Sequence, residues 1–336
     1  MHPTLIEIYE SLNKSFKDVF VVPLIPFSQK KTSYLYTLYK DLINNPLYTI
    51  YSTSFIAHWR FVFAQLMRKQ PILHYHWVEF QDLKALAGMP YKLLCISLYK
   101  ALGGQLVWTV HNKIPHDGKF VNMHRVLSKW MAKQADVILS HCNQEKKDLM
   151  AYQGQSHLKY KIVPHPLFDV DTTISKKYAL NQIEEIYDIE LSPKEYLFLV
   201  FGQISHYKQI DGILNAFTQI KEPSRIIVAG VIKKGNQHVY KQLLEQQNKD
   251  DRISIIASHI PEEHVEWLHI AADSCVFNHI NISTSGAIMM AKSFNKTIIA
   301  PHTGCITEDS SENINTFSSR EELFNLMHKY ASLSGD

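Results

Sequence analysis

One lysine, Lys208, follows a glycine at the point where a buried strand is predicted to end. The apolar run 196–200 leads into residues 201–208 (F-G-Q-I-S-H-Y-K), and the helical pattern 210–217 comes next. In α/β proteins such a strand–loop–helix unit presents backbone N–H groups and a cation to phosphate groups at the carboxyl end of the sheet. The segment therefore predicts a phosphate site at Gly202 and Lys208, although many unrelated turns also contain a glycine and a lysine.

A second glycine turn of the same kind lies about 80 residues later in the chain. It follows the predicted strand 274–277, precedes a helical pattern, and consists of Ser283, Thr284, Ser285 and Gly286. Serine and threonine are common helix N-cap residues, and the free N–H groups of a first helical turn favour a bound anion. The alternative is that these hydroxyls only cap the helix. Two such turns in one half of the chain strengthen the prediction of a phosphate site.

Alternating strands and helices are predicted to position these turns. Strand-like runs lie at 19–23, 49–51, 72–76, 106–111, 137–141 and 161–164, and then at 196–201, 225–229, 253–257, 274–277 and 297–300. Helical patterns between them include 84–102, 120–134, 144–152, 210–220, 239–247, 262–272 and, at the end, 320–331. This alternation predicts right-handed crossovers and mainly parallel sheets. A length of 336 residues favours two domains.

The predicted fold class is therefore α/β, with two doubly wound Rossmann-like domains that face a cleft. Residues 1–167 form the first domain and the polar segment 168–194 is the linker. Residues 195–336 form the second domain, which includes the C-terminal helix.

Charge is distributed unevenly between the two halves. Residues 1–165 hold 20 Lys and Arg against 10 Asp and Glu, a net charge of +10, whereas the remainder holds 15 against 22, a net charge of −7. The basic half is expected to meet an anionic partner, either a membrane surface or a pyrophosphate-bearing acceptor. Two basic helical segments, 84–100 and 119–133, also carry apolar residues and could lie in a membrane interface, or could simply pack apolar side chains on the core. Nucleic acid is not expected, because no recognisable nucleic-acid module accompanies the charge.

The remaining composition is that of an ordinary soluble protein, with 46% hydrophobic and 20% charged residues. No apolar run is long enough to span a bilayer, and no signal-peptide core opens the chain. The four widely scattered cysteines favour a reducing cytoplasm. The four cysteines form no C-x-x-C pair, and His74-x-His76 lacks suitably spaced partners. No metal site is predicted.

Together these segments resemble the two-domain GT-B glycosyltransferases, and they are most similar to the GT4-like group of bacterial polysaccharide enzymes. The second half carries F-G-Q-I-S-H-Y-K, Val228-Ala229-Gly230 and S-T-S-G-A-I-M-M-A-K-S-F-N-K-T-I-I-A-P. The first half carries H-Y-H-W at 74–77 and T-V-H-N-K-I-P-H-D at 109–117, which resembles the group's T-V-H-N-x-x-P-H-E. The resemblance spans residues 19–308 in order. It implies a nucleoside diphosphate sugar as co-substrate (UDP-, GDP- or dTDP-linked), with no cofactor and no metal ion.

The resemblance also assigns donor-binding positions in the second half. Lys208 matches the lysine that binds the donor diphosphate, but Gln203 stands where the group has an arginine. Ser283 and Ala291 stand where the group has two glutamates. A subgroup with T-S-G at this turn is more similar to this chain. The implied donor-binding residues are Gly202, Gln203, Lys208, Gly230, Ser283, Thr284, Ser285 and Gly286.

Sugar transfer also needs an aligned or deprotonated acceptor hydroxyl, and candidates lie at strand ends of the first half. His111 matches the group's cleft histidine, although it could instead hold a loop carbonyl. Asp117 or His116 is expected as a general base, but Asp117 could merely cap a helix. His76, Trp77 and Glu79 are expected to bind the acceptor, with core packing as the alternative for Trp77. The stereochemical outcome stays open, since a retaining enzyme needs no such base.

Three functions are compatible with these residues. The first is a cytoplasmic hexosyltransferase, peripheral to the inner membrane, that extends a lipid-linked or polysaccharide acceptor in cell-surface glycan synthesis. The second is a catalytically lapsed GT-B protein that serves as a binding or assembly subunit, because Gln203, Ser283 and Ala291 replace expected groups. The third is a nucleotide-sugar 2-epimerase, which the H-N-x-x-P-H-D motif disfavours.

Overall fold

The computed structural model describes residues 2–78, 86–113, 120–280 and 283–333. The chain divides into two compact units, Met1–Pro166 and Leu167–Asp336. Among the described residues, no helix combines the length and the apolar character needed to cross a bilayer.

The first unit is built on a parallel six-stranded sheet with the strand order β2-β1-β3-β4-β5-β6. Its strands are β1 (Asp18–Val22), β2 (Thr49–Ser52), β3 (Ile72–Tyr75), β4 (Gln105–Thr109), β5 (Val137–Ser140) and β6 (Tyr160–Ile162). Its described helices are α1 (Leu5–Leu12), α2 (Tyr34–Ile43), α3 (Trp59–Leu66), α4 (Met89–Ala101), α5 (Val121–Gln134) and α6 (Asn143–Gln153).

The period of two along each strand divides the core of the first unit into two layers. In β1, Phe20 and Val22 face the layer that contains Phe61 of α3, Ile96 of α4 and Met131 of α5. Val19 and Val21 point the other way, toward buried side chains of α1 and α2. Helices α3, α4 and α5 therefore cover one and the same face of the first sheet.

The second unit repeats this plan with the strand order β12-β11-β10-β7-β8-β9, again all parallel. Its strands are β7 (Tyr196–Phe201), β8 (Ser224–Ala229), β9 (Ile253–Ile256), β10 (Ser274–Val276), β11 (Thr297–Pro301) and β12 (Ile314–Phe317). Its described helices are α7 (Lys176–Tyr187), α8 (Ile210–Phe217), α9 (Gln237–Gln247), α10 (Glu262–Ala271), α11 (Gly286–Ser293) and α12 (Arg320–Ser332). Two doubly wound α/β units are thus observed, and the predicted fold class is confirmed in this respect.

Residues 168–194, expected as a linker, belong to the second unit and contain α7. Ala179, Leu180 and Ile183 of this helix are buried in the same cluster as Leu197 of β7. These side chains have helical spacing on one face, which explains why α7 packs on the sheet despite its polar outer side. The C-terminal helix α12 buries Leu323, Met327 and Ala331 in the other core layer of this unit.

Candidate functional site

The loops after β7 and β10 lie at the topological switch point of the second sheet. From β7 the chain winds outward through β8 and β9, and it later returns to the opposite side of β7 with β10. In open α/β sheets, ligands bind outside the carboxyl ends of the strands at such a point. Gly202 directly follows β7 and Asn278 lies two residues beyond β10, so both stand at this position.

Two glycines let the loop after β7 press against the end of β8. Gly202 has φ +106° and Gly230 has φ +149°, and both values favour glycine. A Cβ on Gly230 would lie 2.3 Å from the carbonyl oxygen of Gly202, which leaves no room for any side chain. The Gly202 N–H donates to the Ala229 carbonyl at 2.9 Å. The predicted residues Gly202 and Gly230 are therefore in direct contact.

Lys208 places its ammonium group against this glycine loop. The lysine is buried, with 5% of its surface exposed, and its Nζ donates to the Phe201 carbonyl at 3.0 Å. A Cβ on Gly202 would stand only 2.5 Å from that Nζ. Because burial disfavours the charged form, the pKa of Lys208 is lowered to about 7. This arrangement leaves a cation poorly solvated, a state that a phosphate group would relieve.

The amino end of α11 lies beside the same loop. A Cβ on Gly202 would be 3.7 Å from the Cβ of Ala287, in the first turn of α11. Ser285 is the N-cap residue, and no side-chain hydrogen bond caps the helix. The first N–H groups of a helix have no intrahelical partner, so they can donate to an anion together with Lys208. The structure thus brings Gly202, Lys208 and the Ser285–Gly286 end of α11 together.

The hydroxyl side chains before α11 are not all equally placed. Thr284 donates its hydroxyl to Sγ of Cys305 at 3.0 Å, and the carbonyl of Ser283 accepts the N–H of Cys305 at 2.8 Å. The side chains of Ser283, Thr284 and Ser285 line a small pocket together with Ile288, Pro301 and Thr303. Gln203 is exposed, and its predicted role in donor binding stays a prediction.

Sequence reasoning missed the residues that connect the two turns. Asn278 donates from Nδ2 to the Gln209 carbonyl at 3.2 Å, and the Ile280 N–H donates to the Tyr207 carbonyl at 2.9 Å. The His279 ring stacks on Tyr207, with ring centroids 5.9 Å apart. These contacts fix the loop after β10 to the turn that carries Lys208. The signal was the position of Asn278 just beyond a predicted strand.

Three predicted residues of the first unit also meet. Nδ1 of His76 lies 3.0 Å from Nε2 of His111, and the Trp77 ring stacks on His111 with centroids 4.1 Å apart. Trp77 is 37% exposed, so it is not a core residue, whereas His76 is buried. His76 follows β3 and His111 follows β4, at the carboxyl edge of the first sheet. His76, Trp77 and His111 thus form one cluster.

This cluster ends a buried hydrogen-bonded chain that the sequence did not reveal. The Tyr39 hydroxyl lies 2.5 Å from Nδ1 of His74 and 2.8 Å from Nε2 of His76, and Nε2 of His74 lies 2.7 Å from Oγ1 of Thr109. Tyr39 comes from α2, so a helix is tied to the ends of β3 and β4. The chain reaches the His111 ring through His76.

Further histidines extend the cluster along the sheet edge. His141 follows β5 and His165 follows β6, and their ring centroids are 5.4 Å apart. The Tyr34 ring packs edge-on to His111 at 4.9 Å and lies 4.7 Å from His165. Each of the strands β3 to β6 is therefore followed by a histidine. The spacing in sequence is irregular, but the parallel sheet aligns the strand ends.

Burial keeps these imidazoles neutral. It lowers the pKa of His111 well below its usual value, and the neighbouring His76, His141 and His165 lower it further. For the same main reason the pKa falls to about 3 for His74 and to about 4 for His141. With Nε2 facing His76, the His111 ring has Nδ1 left for a ligand. Because its pKa is this low, His111 is a weak base, so it suits hydrogen bonding to a sugar hydroxyl better than proton abstraction.

The other predicted residues of the first unit, Glu79, His116 and Asp117, lie outside the described residues. Their predicted roles in acceptor binding and as general base stay predictions.

The two-unit architecture is shared with solved structures at low sequence identity. HepE (Alr3699) from Anabaena, in complex with UDP-glucose, gives a TM-score of 0.66 over 95% of this chain and 94% of that one, at 13% identity. The lipopolysaccharide outer core galactosyltransferase WaaB gives 0.56 over 96% and 92%, at 12% identity. A putative UDP-N-acetylglucosamine 2-epimerase from Listeria monocytogenes gives 0.55 over 95% and 88%, at 12% identity.

No protein-family model and no curated protein matches the chain. The structural likeness therefore defines the fold, and the predicted GT-B fold is confirmed. Proteins of different activity share this fold, so the fold alone does not define a function.

Proposed function

We propose that this protein is a glycosyltransferase that moves a sugar from a nucleoside diphosphate sugar to an acceptor hydroxyl. The observation that carries the proposal is the position of Lys208. Its buried ammonium group lies against Gly202, next to the amino end of α11, at the switch point of the second sheet. A cation and free backbone N–H groups at one place suit a diphosphate. The chain also shares its fold with a protein whose structure was solved with UDP-glucose.

In this proposal the second unit binds the donor and stabilises the leaving diphosphate. The acceptor oxygen forms a bond to the anomeric carbon while the bond from that carbon to the phosphate oxygen breaks. Negative charge then grows on the diphosphate, where Lys208 and the α11 N–H groups stabilise it without a metal ion. Ser283, Ser285 and Gly286 line the donor side, and Gln203 provides a polar contact at its edge.

The first unit is proposed to bind the acceptor. Trp77 offers a partly exposed ring on which a sugar can stack, and His111 offers Nδ1 to a hydroxyl. The proton of the acceptor passes to Asp117 or His116 in an inverting reaction, or to the leaving phosphate in a retaining one. We propose a lipid-linked or polysaccharide acceptor, as in bacterial cell-surface glycan synthesis, and a cytoplasmic protein at the inner membrane. The net charge of +10 on residues 1–165 supports an anionic partner of this kind.

A thermal stability screen with UDP, GDP, dTDP and their common sugar conjugates tests the donor site. A ligand at 100 times its Kd adds about 2.7 kcal/mol to the free energy of unfolding, which is readily measured. Lys208→Ala should abolish the stabilisation, whereas Lys234→Ala, at an exposed lysine of the same unit, should retain it. No stabilisation by any nucleotide, or equal loss in both variants, would refute the donor site.

The alternative of a catalytically lapsed subunit is favoured by Gln203, Ser283 and Ala291, which replace the expected charged side chains. Such a protein would bind the nucleotide sugar without cleaving the bond between the sugar and the nucleotide. Transfer of radiolabelled sugar to a lipid-extractable or polysaccharide fraction of bacterial membranes decides between the two. An epimerase would instead alter the sugar nucleotide with no acceptor present.

A further inference from the structure

Helices α3, α4 and α5 contain no acidic residue. Their sequences are WRFVFAQL, MPYKLLCISLYKA and VNMHRVLSKWMAKQ, with six cations (Arg60, Lys92, Lys100, Arg125, Lys129 and Lys133) and no Asp or Glu. Lys100 is paired with Asp136 at 2.6 Å, from outside these helices. Because the three helices cover the same face of the first sheet, their outer sides form one surface, on which every charged residue of the helices is basic. We call it the basic apolar face.

The same surface is rich in exposed apolar side chains. Of 23 large hydrophobic residues exposed in the described part of the chain, 12 lie on these helices or at their ends. They are Phe55, Ile56, Trp59, Phe63, Leu66, Met67, Leu94, Leu98, Leu102, Phe120, Met123 and Val126. The gathering of exposed apolar side chains on one face is typical of an interaction surface.

The exposed residues on α3 form a regular stripe. The stripe consists of four residues on one side of the helix, each more than half exposed: Trp59, Phe63, Leu66 and Met67. The opposite side of α3 buries Phe61 and Ala64 in the core. The stripe is therefore additional to the apolar side that the fold requires.

Between α4 and α5 the surface opens into an apolar groove. It is lined by Leu86, Met89, Leu93, Asn122, Met123, Val126, Leu127 and Trp130, and its volume is about 430 Å³. Val126, at its rim, is 70% exposed. Lys129 lies one turn after Val126 and Lys133 one further turn on, so both cations stand on the exposed side of α5 next to the groove.

The combination of charge and apolarity indicates what covers this surface. A protein-binding patch is typically depleted of lysine at its centre. A bilayer with anionic headgroups matches both properties, because lysines bind the headgroup phosphates while tryptophan, phenylalanine and leucine side chains enter the acyl region. Aromatic residues such as Trp59 are favoured at this depth.

We propose that the basic apolar face binds an anionic lipid bilayer, with one acyl chain of a lipid seated in the groove between α4 and α5. The inference rests on the proposed function in one respect: membrane binding would bring the enzyme to a lipid-linked acceptor. The binding itself needs no donor and no chemistry.

Co-sedimentation of the full chain with vesicles tests the proposal. Vesicles of phosphatidylcholine with phosphatidylglycerol should bind the protein, phosphatidylcholine alone should bind it weakly, and added salt should release it. Lys129→Gln with Lys133→Gln should weaken binding to anionic vesicles about fivefold per lysine. Val126→Glu should weaken it at least as much. Leu47→Glu is the matched control, because Leu47 is 70% exposed in the same unit and follows α2, which packs on the other face of the sheet.

The outcomes separate this inference from the proposed function. Equal binding to both vesicle types, or equal loss in Val126→Glu and Leu47→Glu, would overturn it. So would a dimer in solution that Val126→Glu dissociates, since the face would then join two copies of the chain. Thermal stabilisation by UDP, measured on the same variants, reports on the donor site alone. Its persistence when vesicle binding is lost would confirm that the variants are folded.

Discussion

Gly230 approaches Gly202 so closely that a Cβ on Gly230 would lie 2.3 Å from the Gly202 carbonyl oxygen. Gly230→Ala must therefore displace the loop that carries Lys208. We expect this variant to lose UDP binding and about 2–4 kcal/mol of unfolding free energy, because it adds backbone strain to a steric clash.

Gly235→Ala is the control for strain without a clash. Gly235 also has a positive φ, +84°, but nothing lies within 4 Å of its Cβ position. It should cost only about 1 kcal/mol and leave UDP binding intact. Urea unfolding and UDP titration measure both effects. Similar losses in the two variants would show that the contact with Gly202 is unimportant.

The lowered pKa of Lys208 predicts a pH-dependent affinity for nucleotide. In the free protein this pKa is about 7, and a bound diphosphate favours the charged form. Above pH 7 the lysine must take up a proton on binding, so the Kd for UDP should rise toward tenfold per pH unit. Calorimetry in two buffers of different ionisation enthalpy should detect this proton uptake. A Kd that is constant from pH 7 to 9 would contradict it.

Lys208→Met should stabilise the protein in the absence of ligand. A lysine whose folded-state pKa is lowered reduces the free energy of unfolding at every pH below its pKa in the unfolded chain, 10.5. This destabilisation reaches its full size below pH 7. Removing the ammonium group should therefore raise the unfolding free energy at pH 7 by about 2 kcal/mol, an estimate that allows for the lost bond to Phe201. The same substitution should abolish UDP binding. A variant that is less stable than the parent would mean that Lys208 is a structural residue.

The strands were predictable from sequence because most are buried on both faces. Runs such as 196–201 and 274–277 were placed within one residue of β7 and β10, since continuous apolar residues mark central parallel strands. Strand β12 was missed because Ile314-Asn-Thr-Phe317 is short and half polar, as an edge strand can be. Helix α7 was missed because only three of its twelve residues are buried.

The candidate site was predictable only where one local segment carries it. Gly202, Lys208 and Gly286 share a strand–turn–helix context that is visible in the sequence. The buried hydrogen-bonded chain depends on the register between strands β3 and β4. It also depends on Tyr39 of α2, which lies 35 residues before His74 in the sequence. The chain runs from Thr109 through His74, Tyr39 and His76 to His111. No spacing rule within the sequence encodes such a contact, so it emerged only with the fold.

His111→Ala should separate catalysis from nucleotide binding. Nδ1 of His111 is proposed to meet a sugar hydroxyl, so the variant should lose about 10²-fold in transfer, the size of a lost transition-state hydrogen bond. Stabilisation by UDP, which lacks the sugar, should be unchanged. Loss of UDP binding along with transfer would contradict this role.

Tyr39→Phe tests whether the buried chain positions His111. The substitution leaves Nε2 of His76 without its hydroxyl partner, whereas Nδ1 of His74 keeps the Tyr9 hydroxyl at 2.6 Å, and it should cost about 1–3 kcal/mol of stability. It should also lower the rate of transfer, with little change in KM for the donor. Tyr36→Phe, on the same helix, is the control. Equal kinetics in the two variants would leave the chain with a structural role only.

The histidine cluster predicts that the first unit is the acid-sensitive one. His74, His76, His111, His141 and His165 all have pKa values lowered mainly by burial. The unfolded chain therefore binds more protons below its histidine pKa of about 6.5, and unfolding becomes easier as the pH falls. Each histidine should cost about 1.4 kcal/mol per pH unit between about 6.5 and its folded value.

Hydrogen exchange resolved by peptide should show residues 2–78 losing protection before residues 196–280 between pH 6.5 and 5. His165→Gln should reduce this pH dependence, and His157→Gln, at an exposed histidine of the same unit, should not. Stability that is flat over this range, or earlier loss of protection in the second unit, would show that these imidazoles accept protons without unfolding.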